Sequence, residues 1–223
     1  RSYLYYSEVA DSIARFADDP KIIVILRNPV EKAYSQYLHL RRAQRETLSF
    51  EEAIAAEPER TKQGWSDLWR YVGSTKYAEP VRAYLRTFGH TNVYVLFSED
   101  LARDPRTAMS SLFRFLEIPD LAITGTRERN RSGEARSVAV ARVLESPNLL
   151  KRSMRVLLPE GIRGKLSGRL IEANTAEKQP LDPNVRNALL DEFRHDIEDL
   201  QEALGRRTPW QADDASATLR GTG

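Results

Sequence analysis

The chain has 223 residues and no cysteine, which excludes disulfides, cysteine-ligated metal centres and thiol nucleophiles. Its 34 Lys and Arg residues nearly balance 32 Asp and Glu residues, and this net charge of +2 argues against a polycation that binds nucleic acid. Hydrophobic residues make up 41% of the chain, no apolar run is long enough to cross a membrane, and the composition is therefore that of a globular protein.

The first predicted elements are a helix, a strand and a second helix. Apolar residues at helical spacing predict a helix over residues 7–16. Residues 21–26 are β-branched and apolar on both faces, which is typical of a strand in a parallel sheet with helices on both sides. Asn28 suits a helix cap and Pro29 a first helical turn, so a second helix is predicted up to about Arg42.

Further strands and helices alternate along the rest of the chain. Ser49 and Glu52 have the spacing of a capping box, which predicts a short helix through Ala56. The other predictions are a loop at 58–64, helices at 77–88, 104–116, 138–150 and 185–204, a strand at 93–97 and a loop at 159–168. We therefore expect one α/β domain over residues 1–210, followed by a disordered tail at 211–223.

Arg27 is the first candidate site residue, because it directly follows a predicted buried strand. Ligands of open parallel sheets bind at the carboxyl ends of the strands, where an arginine fork suits a phosphate. Ser35 lies about two turns into the next helix and offers a hydroxyl for the same phosphate. The alternative is that Arg27 pairs with a carboxylate and Ser35 is a small packing residue.

The run from Ile22 to Tyr37, IIVILRNPVEKAYSQY, resembles the signature of sulfotransferases of the heparan-sulfate type and their bacterial relatives. The segments LSFEEA at 48–53, VYVLFSEDL at 93–101 and NRSG at 130–133 resemble the same family in the same order. PLDP at 180–183 and the helix after it resemble the family's C-terminus, so the resemblance reaches to about residue 210. It implies a three-layer α/β fold, with a parallel sheet flanked by helices as in P-loop nucleotide hydrolases. It also implies that Arg27 and Ser35 hold the 3'-phosphate of the sulfate donor, 3'-phosphoadenosine 5'-phosphosulfate.

The implied function is transfer of a sulfuryl group from this donor to a hydroxyl or amine of a glycan, lipid or small natural product. No metal and no nucleic acid are implied, and we expect a cytoplasmic enzyme. A non-catalytic family member that binds nucleotide or glycan is the alternative. Neither the acceptor nor the oligomeric state follows from the sequence.

The family's phosphosulfate loop, Lys-x-Gly-Thr-Thr or Lys-x-Gly-Thr-Ser, and the glutamate that serves as its base do not occur in these residues. The match starts at Arg1 with a segment that follows both in the family. We therefore expect the catalytic Lys and Glu, and the strand before them, to lie before Arg1.

An arginine-rich segment at 124–137 also resembles the family, in the loop that closes over the nucleotide. Arg136 supplies charge for a phosphate, while Ser132 and Gly133 suit a turn that the phosphate approaches closely. The alternative is a solvated loop. We expect the segment to become ordered when nucleotide binds.

Three aromatic residues, Trp65, Trp69 and Tyr77, are candidates for a wall that stacks on an acceptor ring. Helical core packing is the alternative for the two tryptophans, which are four residues apart. The three histidines at 39, 90 and 195 are scattered along the chain, and we expect structural roles for them.

Overall fold

The structure, a computed structural model, describes residues 3–121 and 179–210. Its helices and strands, in chain order, are α1 (Ser7–Phe16), β1 (Ile22–Leu26), α2 (Pro29–Arg42), α3 (Phe50–Ala55), α4 (Glu57–Lys62), α5 (Ala78–Phe88), β2 (Val93–Phe97), α6 (Ser98–Arg103), α7 (Pro105–Phe115) and α8 (Pro183–Leu204). Single 3-10 turns cover Tyr3–Tyr5, Asp67–Trp69 and Gly73–Thr75. The chain divides into a first unit (1–31, 74–126 and 187–223) and a second unit (32–73 and 127–186).

The first unit is built on a parallel pair of strands. Ile22 of β1 lies opposite Val93 of β2, and Leu26 lies opposite Phe97. Parallel strands need a long crossover, which here contains α2 to α5. Because the two strands run level over five residues, their carboxyl ends meet at one edge of the sheet, and the residues that follow each strand are brought side by side.

Helices pack on both faces of this sheet. On one face, Val24, Leu26, Val95 and Phe97 are buried in a core that also contains residues of α1, α5 and α8. On the other face the ring of Tyr94 packs on Phe115 of α7, with 5.2 Å between ring centroids. The predicted fold class, a parallel sheet flanked by helices, is confirmed.

The prediction that β1 is covered on both faces is wrong at Ile25, whose exposed fraction is 63%. The helix described on that face, α7, packs against β2. Within the described residues, no helix is both long enough and apolar enough to cross a membrane.

The second unit has an aromatic core and a buried ion pair. Four rings pack together with centroids 5.0 to 6.3 Å apart, those of Tyr34, Tyr37, Phe50 and Tyr71. Beside them the buried carboxylate of Glu46 accepts two hydrogen bonds from Arg60, at 2.6 and 3.1 Å, and one from the Tyr71 hydroxyl at 2.7 Å.

Most predicted elements are confirmed to within two residues, and the predicted capping box of Ser49 and Glu52 is present. The predicted loop at 58–64 is wrong, because α4 occupies most of it. Pro58 lies in the first turn of α4, where proline is tolerated, and acidic residues in the first turn and basic residues in the last suit the helix dipole. Helix α6 was not predicted. The predictions for residues 138–150, 159–168 and 211–223 lie outside the described residues.

Candidate functional site

The turn that follows β1 carries Arg27 and is closed by Asn28. The side-chain oxygen of Asn28 accepts hydrogen bonds from the backbone N–H groups of Val30 at 3.0 Å and Glu31 at 3.3 Å. This side chain thereby satisfies two of the free N–H groups at the start of α2, as predicted from the residue type.

The backbone of the same turn is held by side chains from elsewhere in the first unit. The hydroxyl of Tyr77 donates to the carbonyl of Arg27 at 2.9 Å. The backbone N–H of Asn28 donates to Glu99 at 2.8 Å, and the indole N–H of Trp210 donates to the other oxygen of the same carboxylate at 3.0 Å. The peptide group that follows Arg27 is therefore anchored at both its carbonyl and its N–H.

Tyr77 is well suited to this structural contact, because its side chain is almost fully enclosed at 2% exposure. Burial raises the pKa of Tyr77 well above its usual range, so the phenol stays protonated and donates its hydrogen bond at every physiological pH. A ring this buried presents no face to an acceptor sugar. Its predicted acceptor role is therefore not favoured by this conformation.

The guanidinium of Arg27 itself is accessible. The side chain is 42% exposed, and its ion pair with Glu31 spans 3.8 Å, close to the upper limit for such a contact. An exposed pair at this distance contributes little to stability. Pairing with a carboxylate, the alternative to phosphate binding, is thus present only in a weak form that an incoming phosphate can compete with.

Ser35 and Lys32 lie on the same side of α2, one turn apart. Both are partly buried. Burial lowers the pKa of Lys32 to about 8, because an enclosed ammonium loses part of its hydration. Lys32 is not among the residues predicted for the site.

The three residues predicted in the arginine-rich segment, Ser132, Gly133 and Arg136, lie outside the described residues. Their contact with nucleotide stays a prediction.

The two tryptophans lie together in the second unit, although not in the predicted helical arrangement. Trp65 falls between α4 and the turn that ends at Trp69, and the two rings meet edge to face at 5.3 Å. Trp65 is 43% exposed, and the guanidinium of Arg60 lies over its ring at 4.8 Å. An exposed indole is available for stacking on an acceptor, and that role stays a prediction.

The histidines lie apart on different elements: His39 on α2, His90 in the turn after α5 and His195 on α8. In the described part of the chain, no three His, Asp or Glu side chains are grouped so that they could hold a metal ion.

Comparison with known proteins identifies the family. The model of the sulfotransferase domain family matches residues 11–152, a range that includes Arg27 and Ser35. A solved sulfotransferase from Alicyclobacillus acidocaldarius is similar in structure, with 27% identity and a TM-score of 0.64. The match covers 92% of this chain and 63% of the solved chain, so the present chain spans less than two thirds of that protein. No curated protein matches the chain. Because the family match extends over more than half of its length, the chain belongs to the sulfotransferase domain family.

Proposed function

We propose that this chain binds 3'-phosphoadenosine 5'-phosphosulfate and serves the transfer of its sulfuryl group to a hydroxyl or amine. The observation that carries the proposal is the accessible guanidinium of Arg27, at the carboxyl ends of two parallel strands and on a turn that Tyr77 and Glu99 hold in place. Together with family membership, this placement favours the 3'-phosphate as the ligand of Arg27.

The chemistry of the residues fits a phosphate. An arginine fork donates two parallel charge-assisted hydrogen bonds to phosphate oxygens. The Ser35 hydroxyl, which the resemblance assigns to the same phosphate, would add a neutral donor. These side chains would bind the 3'-phosphate, which does not react. Their role would therefore be to position the nucleotide rather than to perform the chemical step.

The bound donor supplies the sulfuryl group. The contribution of the present residues is to fix the nucleotide so that the reacting oxygen and sulfur are aligned, which is a large part of catalysis in group transfer. We assign no catalytic acid or base among residues 1–223.

The acceptor is proposed as a glycan, lipid or small natural product. The support is the exposed indole of Trp65, which offers a flat apolar surface of the kind that stacks on a ring. We also propose a cytoplasmic setting for the reaction.

The proposal is tested by calorimetric titration of the full-length protein with adenosine 3',5'-bisphosphate. Arg27→Ala is expected to weaken binding about 10- to 160-fold, the loss that corresponds to a charge-assisted hydrogen bond of about 1.5–3 kcal/mol. Ser35→Ala should weaken it less, because a neutral donor is lost. Arg103→Ala is the matched control, since this exposed arginine pairs only weakly with Asp100.

Equal affinity of wild type and Arg27→Ala would contradict the assignment of the 3'-phosphate. Radiolabelled sulfate transfer by the full-length protein then separates an enzyme from a family member that binds nucleotide without turnover.

A further inference from the structure

The carboxylate of Glu99 bridges two N–H donors that come from distant parts of the chain. One oxygen accepts from the Asn28 backbone at 2.8 Å, and the other accepts from the Trp210 indole at 3.0 Å. Asn28 and Trp210 lie 71 and 111 positions from Glu99 in sequence, so only the fold brings the three together. Asn28 is 9% exposed and Trp210 is 5% exposed, and Glu99 is partly buried.

The parallel register explains why Glu99 reaches this turn. Leu26 of β1 lies opposite Phe97 of β2. Continued by two residues, the same register places Glu99, in the first turn of α6, level with Asn28, where β1 leads into α2. Trp210 packs on Phe97 and Tyr77, with ring centroids 5.1 and 5.7 Å apart, and this packing aims its N–H at the carboxylate.

The peptide group between Arg27 and Asn28 is thus fixed by two hydrogen bonds. Its carbonyl accepts from the Tyr77 hydroxyl, and its N–H donates to the Glu99 carboxylate. The orientation of this peptide sets the direction in which the Arg27 side chain leaves the backbone. We propose that Glu99 is a positioning residue, which together with Trp210 aims Arg27 at the 3'-phosphate. This inference rests on the proposed function, because it concerns how the proposed phosphate ligand is held.

The loss of charge and the loss of hydrogen-bond geometry in Glu99→Gln predict opposite changes in affinity for the 3'-phosphate. A carboxylate near a phosphate site repels the ligand, so removing its charge by itself tightens binding. Glu99→Gln also leaves one oxygen and one NH2 group facing two N–H donors, so one contact becomes donor against donor. If Glu99 positions Arg27, the second effect prevails and the variant binds the 3'-phosphate more weakly, despite its more favourable charge.

The test compares adenosine 3',5'-bisphosphate with adenosine 5'-phosphate, which lacks the 3'-phosphate, by titrating the full-length protein well below its unfolding temperature. The readout is the ratio of the two affinities. Glu99→Gln is expected to lower this ratio about fivefold. Asp100→Asn is the matched control, since it removes the same charge one residue away, and it is expected to leave the ratio unchanged or slightly raised.

A double variant tests the bridge itself. Trp210→Phe keeps an aromatic ring and removes the indole N–H. In the Glu99→Gln background, the new amide side chain can then turn its oxygen to the Asn28 backbone without a second donor opposing its NH2 group. Glu99→Gln combined with Trp210→Phe is therefore expected to recover most of the ratio that Glu99→Gln alone loses.

Each outcome is decisive. An unchanged ratio in Glu99→Gln, an equal loss of affinity for both nucleotides, or no recovery in the double variant would overturn the positioning role while leaving the phosphate site intact. A wild-type protein that does not prefer the bisphosphate would instead overturn the proposed function, and the positioning role with it.

Discussion

At the scale of single residues, Glu31 is the competitor of the proposed 3'-phosphate for Arg27. Glu31 lies one helical turn after Arg27 and contacts its guanidinium at 3.8 Å. Both side chains are partly exposed, so water screens their attraction and the pair is weak. A phosphate that makes shorter, charge-assisted hydrogen bonds is expected to displace the carboxylate.

Replacing this competitor should therefore tighten nucleotide binding. We expect Glu31→Gln to raise the affinity for adenosine 3',5'-bisphosphate about 1.4- to fivefold, the range that corresponds to an exposed ion pair of about 0.2–1 kcal/mol. The measurement is the same titration as for Arg27→Ala, repeated at low and high salt. The gain should shrink at high salt, because screening already weakens the competing pair. A loss of affinity would show that Glu31 supports the site rather than competing with the ligand.

At the scale of elements, the second unit depends on a buried carboxylate that connects α4 to the loop after α2. Burial by itself raises the pKa of Glu46, but hydrogen bonds from Arg60, Tyr71 and the Leu48 backbone outweigh it and lower the pKa to about 2. A second carboxylate, that of Glu57, accepts from the backbone N–H groups of Val72 and Gly73, both at 2.8 Å. Together the two glutamates fix the path of the chain around the tryptophan pair.

Because the pKa of Glu46 is lowered, the stability of this unit depends on pH in the acidic range. An unfolded glutamate titrates near pH 4.3, so the stabilisation by Glu46 is complete above that pH and is lost as the pH falls towards 2. We expect the free energy of unfolding to drop by about 3 kcal/mol over this interval through this group alone. Urea unfolding followed by tryptophan fluorescence measures it.

Glu46→Gln should be less stable than wild type at pH 7 by a similar amount, and its stability should depend less on pH between about 2 and 5. The control is Glu59→Gln, which changes an exposed glutamate of α4. Equal pH slopes in wild type and Glu46→Gln would contradict the assignment.

At the scale of the whole molecule, the chain after α8 returns to the sheet. Trp210 is buried against Phe97 and Tyr77 and donates to Glu99, so the last described residues support the turn that carries Arg27. Asp196 of α8 adds a second link by accepting from the backbone N–H groups of Tyr77 and Ala78, at 2.6 and 3.1 Å. The C-terminal part of the chain is therefore part of the support of the site.

Two truncations distinguish the contribution of the segment that contains Trp210 from that of residues 211–223. Ending the chain at Leu204 removes Trp210 and should lower the free energy of unfolding by about 3–5 kcal/mol, the cost of deleting a buried large aromatic side chain. It should also reduce the preference for the bisphosphate over adenosine 5'-phosphate. Ending it at Trp210 removes only residues 211–223, which we propose to be a tail, and should leave both quantities unchanged. Thermal melts and the nucleotide titrations check both chains, and a similar loss in the two would contradict the proposed division.

Local pattern was enough to predict most of the elements and the family. The β-branched run at 22–26, the Asn28 cap and the capping box of Ser49 and Glu52 each depend on neighbours close in sequence, so they could be read directly. The loop predicted over residues 58–64 is wrong, because α4 covers most of that range and Pro58 lies in its first turn.

The sequence by itself determined that Arg27 follows a strand and precedes a capped helix, and that the chain resembles sulfotransferases. Only the tertiary structure decided what holds Arg27 in place. Glu99, Tyr77 and Trp210 reach its turn through the parallel register and through packing at the carboxyl ends of the strands. These contacts join residues 50 to 111 positions apart, and no local period or spacing marks them. The physical reason is that a hydrogen bond requires its two groups to be close in space. Residues this far apart in sequence become close only when the strands have paired and the helices have packed on them.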